Sequence, residues 1–159
     1  MRRVEFVPGS VARPLPDDSY ISDSEEAFLV SFPQDYRDFL KRHGGAIPVV
    51  GTFVADSHEW AIDRFLCLLS DYRDNPLGCY DIDVTWSQLF DRLGNNPDTL
   101  GAEMVPIAIL FAGDFVCLDY RDSRDQPSVV VWLHEQSECF SPVTRPVAAT
   151  FTEFLDLVN

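Results

Sequence analysis

The sequence predicts an α+β domain, in which helices pack against a largely antiparallel sheet of about five to six strands. Two observations support this prediction. Apolar residues recur at helical spacing near the start, in the middle and at the end of the chain, and three apolar runs between residues 104 and 134 are separated by short turn-like segments. We therefore expect a C-terminal meander of strands, packed by helices at the N-terminus, middle and C-terminus.

Two of the helices are marked by a capping-box spacing, in which a hydroxyl side chain stands three residues before a glutamate. Ser22 and Glu25 have this spacing and predict a short helix from about residue 23 to residue 31. Thr150 and Glu153 have it as well, at the start of the apolar stripe in TFTEFLDLVN. A closing helix is therefore expected at the C-terminal end.

Two further helices are marked by residues at both of their ends. In FPQDYRDFLKRHGG, Pro33 suits a first helical position, three basic residues fall in the last turn, and Gly44 supplies the stop. In DIDVTWSQLFDRLG, Asp81 or Asp83 can cap the start and Gly94 can end the helix. The residues expected on its buried face are Ile82, Trp86, Leu89, Phe90 and Leu93.

The strands are predicted from runs rich in β-branched and aromatic residues. The runs are IPVVGTFV (47–54), DRFLCLLS (63–70), MVPIAILF (104–111), FVCLDY (115–120) and SVVVWLH (128–134). ADSHEW, between the first two runs, is expected to be a loop or turn. Both faces of FVCLDY are apolar, so this strand should be central and covered on both sides.

Charge is the most distinctive feature of the composition. The 26 acidic and 12 basic side chains give a formal net charge of −14. Such a surface repels nucleic acid and favours a cationic partner, although solubility alone can also account for it. The sequence contains no apolar run of about 18 residues and no signal-peptide core. We therefore expect a cytoplasmic protein that binds neither nucleic acid nor membrane.

Patterns typical of metal sites are missing from the sequence. His43, His58 and His134 are scattered, and His43 suits the C-terminal end of a helix. The four cysteines are too far apart for a zinc or redox motif, and they are expected to be buried thiols. These cysteines are Cys67, Cys79, Cys117 and Cys139. We expect no metal and no cofactor.

Catalytic residues are not indicated either. Ser57 beside His58, and Cys117 in an apolar run, are loose candidates for a nucleophile without a sequence signature. Asp114 and Asp119 could serve as a general acid and base, but Gly-Asp is also ordinary turn chemistry and carboxylates are abundant in this chain. The sequence therefore favours a protein that is not an enzyme.

Acidic residues in the predicted loops, with tyrosines beside them, are the candidates for binding a partner. Aromatic side chains among charges are typical of recognition surfaces, whereas a solvated loop with incidental tyrosines is the alternative interpretation. The candidate residues are Asp71, Tyr72, Asp74, Tyr80, Asp81, Asp83, Asp122 and Asp125.

The order of these segments resembles that of a known family. FPQDYRDFLKRHGG is similar to an opening signature of Leu-Pro, Tyr, Phe-Leu and Asn-Gly-Gly, with Phe32 in place of the leucine and His43 in place of the asparagine. VPIAILFAGDFVCLDYRD is similar to a second signature, an Ile-Pro strand, a Gly-Asp corner and a Cys-Leu-Asp strand. VVVWLHE and ATFTEFLDLV match the closing strand and helix. Over about residues 23–158 the chain resembles the SMI1/KNR4, or SUKH, superfamily.

This resemblance implies a function in protein binding. Many bacterial members of the superfamily are immunity proteins that neutralise polymorphic toxins by direct binding, and other members, notably fungal ones, are regulatory. One hypothesis is therefore an immunity protein for a cognate toxin domain that is basic in charge, with a nuclease as the candidate activity of the toxin. The alternative is a regulatory or scaffolding domain. The positions that match the signatures, and that are expected to form scaffold, are Pro33, Tyr36, Phe39, Leu40, Gly44, Pro106, Gly113, Asp114, Cys117, Leu118 and Asp119.

The resemblance also bears on the Gly113-Asp114 pair and on the domain organisation. It implies that the pair forms the corner between two core strands. A chain of 159 residues fits one domain. We expect residues 1–21, which contain three prolines, to form an N-terminal arm, and residues 22–159 to form a single SUKH-like domain.

Overall fold

A computed structural model describes residues 4–159 of the chain. The helices of this part are α1 (Asp18–Phe28), α2 (Gln34–His43), α3 (Ile82–Leu89) and α4 (Phe151–Leu157). The strands are β1 (Thr52–Ala55), β2 (His58–Phe65), β3 (Met104–Leu110), β4 (Phe115–Asp119), β5 (Ser128–Trp132) and β6 (Thr144–Ala148). Short 3₁₀ turns lie at residues 78–80, 90–92 and 111–113.

The six strands form one antiparallel meander in the order β1-β2-β3-β4-β5-β6. The predicted α+β class and C-terminal meander are therefore confirmed. The sheet curls enough that its first and last strands approach each other, since Arg145 on β6 lies 3.5 Å from the carboxylate of Asp56 at the end of β1. The C-terminal Asn159 also donates its backbone N–H to the carbonyl of Thr52, at 3.0 Å.

The main core fills the concave side of the sheet and is rich in aromatic rings. Phe39 of α2 packs 4.7 Å from Phe65 of β2, and Phe53 of β1 packs 5.3 Å from Phe154 of α4. Helices α1, α2 and α4 all contribute side chains to this core. Burial of an aromatic side chain contributes roughly 2–3 kcal/mol, so the apolar stripes of these helices account for their positions.

A second, smaller core covers the opposite face of the central strands. Cys117 of β4 and Trp132 of β5 pack there with Leu93, which follows α3. The indole Nε1 of Trp132 donates to the carbonyl of Arg92 at 2.9 Å, and the Arg92 guanidinium lies 5.0 Å from the Trp132 ring. Strand β4 is therefore covered on both sides, as its two apolar faces predict.

The first helix begins earlier than its predicted start. Asp17, not Ser22, caps α1, and its carboxylate accepts a hydrogen bond from the N–H of Tyr20 at 2.8 Å. Glu25 does not form a capping box with Ser22. Its carboxylate instead accepts from the N–H of Phe32 at 2.6 Å and forms an ion pair with Arg37 of α2. The helix therefore starts at Asp18 and not near residue 23, because Asp17 is as good a capping residue as Ser22 and lies five residues earlier.

The predicted positions of the first two strands were also wrong. The loop or turn predicted in ADSHEW is a tight hairpin turn at Asp56 and Ser57, both with left-handed backbone (φ 50° and 62°). The strands on either side differ from the predicted runs, since β1 starts at Thr52 and His58 already starts β2. Such two-residue turns fit the twist of a hairpin, but they usually contain glycine or asparagine. This turn contains neither, so its position within ADSHEW was not evident from the sequence. Strand β6 was not identified because Pro146 interrupts its pattern, and proline is tolerated on an edge strand.

The N-terminal segment lies along the residues that follow α2. Val7 donates its N–H to the carbonyl of Ile47, and Ala12 donates to the carbonyl of Gly44, both within 2.9 Å. Residues 1–3 of the predicted arm lie outside the described part of the chain. The division into an arm and a domain at residues 21 and 22 stays a prediction.

The corner between β3 and β4 is the tight turn that the Gly-Asp pair predicts. Ala112 and Gly113 both adopt left-handed backbone, with φ values of 72° and 93°. The carboxylate of Asp114 does not bond its own loop, as turn chemistry would suggest. It accepts from the backbone N–H of His134, at 2.8 Å, and so joins this corner to the end of β5.

The Gly-Gly pair after α2 provides a test of the packing. Gly45, with φ of 80°, has the left-handed backbone expected of a helix stop, whereas Gly44 has an ordinary φ of −52°. A Cβ at Gly45 would lie 2.5 Å from the Cβ of Ala12. We predict that Gly45→Ala lowers the free energy of unfolding by about 1–3 kcal/mol, more than Gly44→Ala does, as measured by urea unfolding. Equal losses for the two variants would contradict this account.

Candidate partner-binding surface

The loop after Leu69 carries the first group of predicted binding residues. Asp71 and Asp74 are exposed on a series of turns between residues 70 and 77. Asn75 holds these turns in place, because its side-chain amide donates to the carbonyl of Arg13 at 2.8 Å and to the carboxylate of Asp71 at 3.1 Å. The two aspartates are thus presented to solvent on a loop that is fixed to the rest of the domain.

Asp81 is buried and cannot be presented to a partner. One carboxylate oxygen accepts from the N–H of Val84 at 3.1 Å and caps α3, and the other accepts from the N–H of Leu69 at 2.8 Å. Burial raises the pKa of this carboxyl, while the backbone hydrogen bonds act in the opposite direction. The interpretation of Asp81 as a binding residue is therefore wrong, and its interpretation as the helix cap is confirmed.

Asp83 is half-buried in the first turn of α3, next to the start of α1. Burial, with the charge of Asp81 as a smaller cause, raises the pKa of Asp83 to about 6. Burial and then the charges of Asp81 and Asp83 raise the pKa of Tyr20 on α1 to about 12, and Asp23 acts on Tyr20 in the same direction. The first turns of α1 and α3 therefore form one region of concentrated negative charge.

Asp122 and Asp125 lie at the other end of α1. The carbonyl of Arg124 accepts from the N–H of Ser31 at 3.2 Å, just after α1 ends. Asp125 lines the same shallow recess as Glu26 of α1. The structure thus separates the predicted residues into two groups, roughly 16 Å apart along the 11 residues of α1.

Exposed acids on α1 connect these two groups. Asp23 and Glu26 are three residues apart, so they lie on one side of the helix, and both are exposed. Both also lie within the predicted helix, but they were not identified because the candidate acids were sought only in predicted loops. We call the combined surface the acidic face. It consists of Asp23, Glu26, Asp71, Asp74, Asp83, Asp122 and Asp125.

The two predicted tyrosines are less available than the acids. The guanidinium of Arg73 lies 5.6 Å from the centre of the Tyr72 ring, and that of Arg64 lies 4.9 Å from the centre of the Tyr80 ring. Tyr80 also packs against the main core. One side of each ring is therefore already covered by an arginine of the same chain.

An exposed apolar surface next to α3 was missed in the sequence. Phe90 was predicted to be buried, yet 55% of it is exposed. The α-helix stops at Leu89, where φ is −125° and ψ is 0°, and a 3₁₀ turn follows, so the helical spacing no longer places Phe90 on the buried face. Phe90, Leu100 and Phe140 line one recess, with Trp86 and Leu93 also in its lining.

The loose catalytic candidates do not converge in the structure. Asp114 and Asp119 stand at opposite ends of β4, roughly 17 Å apart by strand geometry. Asp119 is held in an ion pair by Arg121, at 2.8 Å. Cys117 is buried, and desolvation raises the pKa of its thiol well above the usual range. These residues act as scaffold.

Metal-ligating side chains and thiols are dispersed over the fold. Within residues 4–159, no group of three or more His, Cys, Asp or Glu side chains is arranged to hold a metal ion. Cys67 and Cys117 are buried as predicted, but Cys79 and Cys139 are exposed, because they lie in a 3₁₀ turn and a surface loop. Among the helices that the structure describes, none is long and apolar enough to cross a membrane.

The buried carboxylate of Asp81 gives a prediction for stability. Asp81→Ala removes the α3 cap and leaves the buried N–H of Leu69 without its acceptor, so we expect a loss of about 2–3 kcal/mol in the free energy of unfolding. Asp81→Asn keeps one acceptor oxygen and should lose less. Urea unfolding of both variants measures the difference, and an alanine variant as stable as the asparagine variant would contradict the assigned role.

The raised pKa of Asp83 gives a prediction for pH dependence. Folding raises this pKa from 3.8 to about 6, so the folded state holds the proton more tightly, and ionisation of Asp83 destabilises the fold as the pH rises through 6. We expect Asp83→Asn to melt a few degrees higher than wild type at pH 7.5 and at the same temperature near pH 3, below the pKa of 3.8 in the unfolded chain. Asp74→Asn, at an exposed position, should show no such change. A constant difference for Asp83→Asn at every pH would contradict the prediction.

Comparison with protein-family models identifies the family of this chain. A sequence model of the SMI1 / KNR4 family (SUKH-1) matches residues 15–157, which is nearly the whole chain. No curated protein and no solved structure gives a significant match. The match includes the signature segments at α2, at the β3–β4 corner and at α4, together with both cores that they build. The chain therefore belongs to the SMI1/KNR4 family (SUKH-1).

Proposed function

We propose that this protein is a bacterial immunity protein that binds a cognate toxin domain in the cytoplasm and neutralises it. Membership of the SMI1/KNR4 family supports this proposal, because the resemblance to that family implies a function in protein binding. The observation that carries it furthest is the acidic face, which runs from the loop at residues 70–77 along α1 to the loop at residues 122–125. The partner is accordingly a basic domain, such as a nuclease with a positive substrate cleft.

The charges of the acidic face suit long-range attraction. Asp23, Glu26, Asp71 and Asp74 are exposed and lie on a helix and on a loop that is tied down by Asn75. An acidic surface of this kind accelerates the encounter with a basic partner, at rates that fall as salt screens the charges. A toxin cleft that binds nucleic acid offers the matching charge.

Co-expression tests the function directly. The product of an adjacent toxin gene should arrest growth when expressed alone, and growth should resume when this protein is expressed with it. If the chain left the arrest unchanged and instead co-purified with a housekeeping protein, a regulatory or scaffolding role would replace the proposal.

The kinetics of association test the acidic face. We predict that Asp23→Lys/Glu26→Lys slows association with the toxin at least tenfold at low salt, and that the difference shrinks at high salt. Glu59→Lys/Asp63→Lys, on β2, makes the same change in net charge outside the acidic face and serves as the control. Equal slowing by the two double variants, measured by stopped-flow or biosensor, would show that net charge and not this face attracts the toxin.

A further inference from the structure

The recess beside α3 is bordered by large apolar side chains that face solvent. Phe90, Leu100 and Phe140 are 55%, 79% and 43% exposed. Together with Trp86 and Leu93 they line a volume of about 250 Å³, which we call the apolar groove. Three exposed side chains of this size around one recess differ from the scattered apolar residues of an ordinary surface, and grouped ones mark interaction sites.

The groove is held open by contacts on each side. Phe140 donates its N–H to the carbonyl of Asp91 at 2.7 Å, which fixes the 138–141 loop beside the 3₁₀ turn. The Trp86 ring packs 5.5 Å from Phe28 and 5.7 Å from Phe90. On the far side, Arg124 donates to the carbonyl of Leu100 at 3.2 Å. A partner therefore meets a groove that is already formed, and little conformational entropy is lost on binding.

Acidic residues surround this apolar lining. Glu103 lines the groove itself. Asp91, Asp98 and Glu138 each stand within two residues of one of its three exposed apolar side chains. The nearby guanidinium of Arg92 is occupied, since it donates to the carbonyls of His134 and Ser137 and lies over Trp132. Arg124, at the far edge, likewise donates to the carbonyls of Leu100 and Ala102. The four carboxylates outnumber these two guanidinium groups, so the groove offers an apolar interior within a border of net negative charge.

We propose that the apolar groove takes one apolar side chain of the partner, aromatic or long and aliphatic, from a segment in which lysine or arginine stands on both sides of it. This proposal rests on the proposed function for the identity of the partner as a toxin domain. The volume is below the roughly 300–1,000 Å³ of pockets that hold drug-sized ligands, so it suits a single side chain. An apolar anchor within a charged border is the usual arrangement of an interface hot spot.

A peptide titration tests the groove without the toxin. The probe is acetyl-Arg-Phe-Arg-amide, added to ¹⁵N-labelled protein and followed by NMR. We expect saturable shifts of the amides of Trp86, Phe90, Leu100 and Phe140, with at least fivefold weaker binding of acetyl-Glu-Phe-Glu-amide and acetyl-Arg-Ala-Arg-amide. Shifts dispersed over the whole domain, or equal affinities for the three peptides, would overturn the proposal.

Matched variants link the groove to the toxin. Phe90→Ser and Leu100→Ser each remove an exposed apolar side chain from the groove, and we expect each to weaken toxin binding at least tenfold. Phe111→Ser removes an equally exposed ring at the opposite end of β3, roughly 20 Å away, and should bind like wild type. Melting temperatures show which variants remain folded.

The outcomes separate this proposal from the proposed function. If the groove variants fold and bind the toxin as wild type does, while Asp23→Lys/Glu26→Lys binds more slowly, the groove proposal is wrong and the immunity function stands. If wild type binds no toxin but the Arg-Phe-Arg peptide saturates the groove, the immunity function is wrong and the groove serves another basic partner.

Discussion

The fold depends on covering both faces of its central strands. Strand β4 has Val116 and Leu118 on one face and Cys117 on the other, and all three are buried. Helices α1, α2 and α4 can cover only the first of these faces, so the chain must place another element on the second. The segment formed by α3 and the following 3₁₀ turn covers this second face, through Leu93 and through the hydrogen bond from Trp132 to the carbonyl of Arg92.

Asp81 determines where this segment starts. Its carboxylate accepts hydrogen bonds from the N–H of Leu69, before the segment, and from the N–H of Val84, in the first turn of α3.

This requirement also determines where the surfaces for binding arise. Because α3 must begin beside α1, the carboxylates of Asp83 and Asp23 both act on Tyr20, and negative charge accumulates around this tyrosine. Burial, with the charge of Asp81 as a smaller cause, raises the pKa of Asp83 to about 6, so the ionised form of Asp83 opposes folding near neutral pH. Retention of a carboxylate at an unfavourable position is expected where a surface serves binding, since functional sites commonly reduce stability. At the end of α3 the backbone changes to a 3₁₀ turn, so the side chain of Phe90 lies outside the core and is exposed to solvent.

The parts of the fold that could be predicted from sequence are those set by local interactions. The cap of α4 at Thr150 and the cap of α3 at Asp81 each join a side chain to an amide three residues away, so the spacing alone reveals them. Strand β4 was predictable because its burial follows from its own alternating residues. The start of α1 was not, since Asp17 and Ser22 are both suitable caps and local spacing does not choose between them. Glu25, which the Ser22 cap would need, pairs instead with Arg37 of another helix.

The candidate site was harder to predict than the fold, because it depends on contacts between distant parts of the chain. Asp81 is buried only because Leu69, distant in sequence, uses its carboxylate, and Phe90 is exposed only because the helix changes its pitch at Leu89.

The two surfaces suit different stages of binding to a protein partner. Charges on the acidic face act over a distance of about 8–10 Å at physiological salt, so they raise the rate of encounter but hold a partner weakly once water and salt compete. An apolar side chain in a preformed groove acts only on contact, so removing that side chain mainly raises the dissociation rate of the complex. Helix α1 contacts both regions, since Asp23 and Glu26 face the acidic side while Phe28 packs on Trp86 in the lining of the groove. Under the proposed function, a basic segment attracted to α1 would arrive beside the groove, so one helix would link the attraction of the partner to its anchoring.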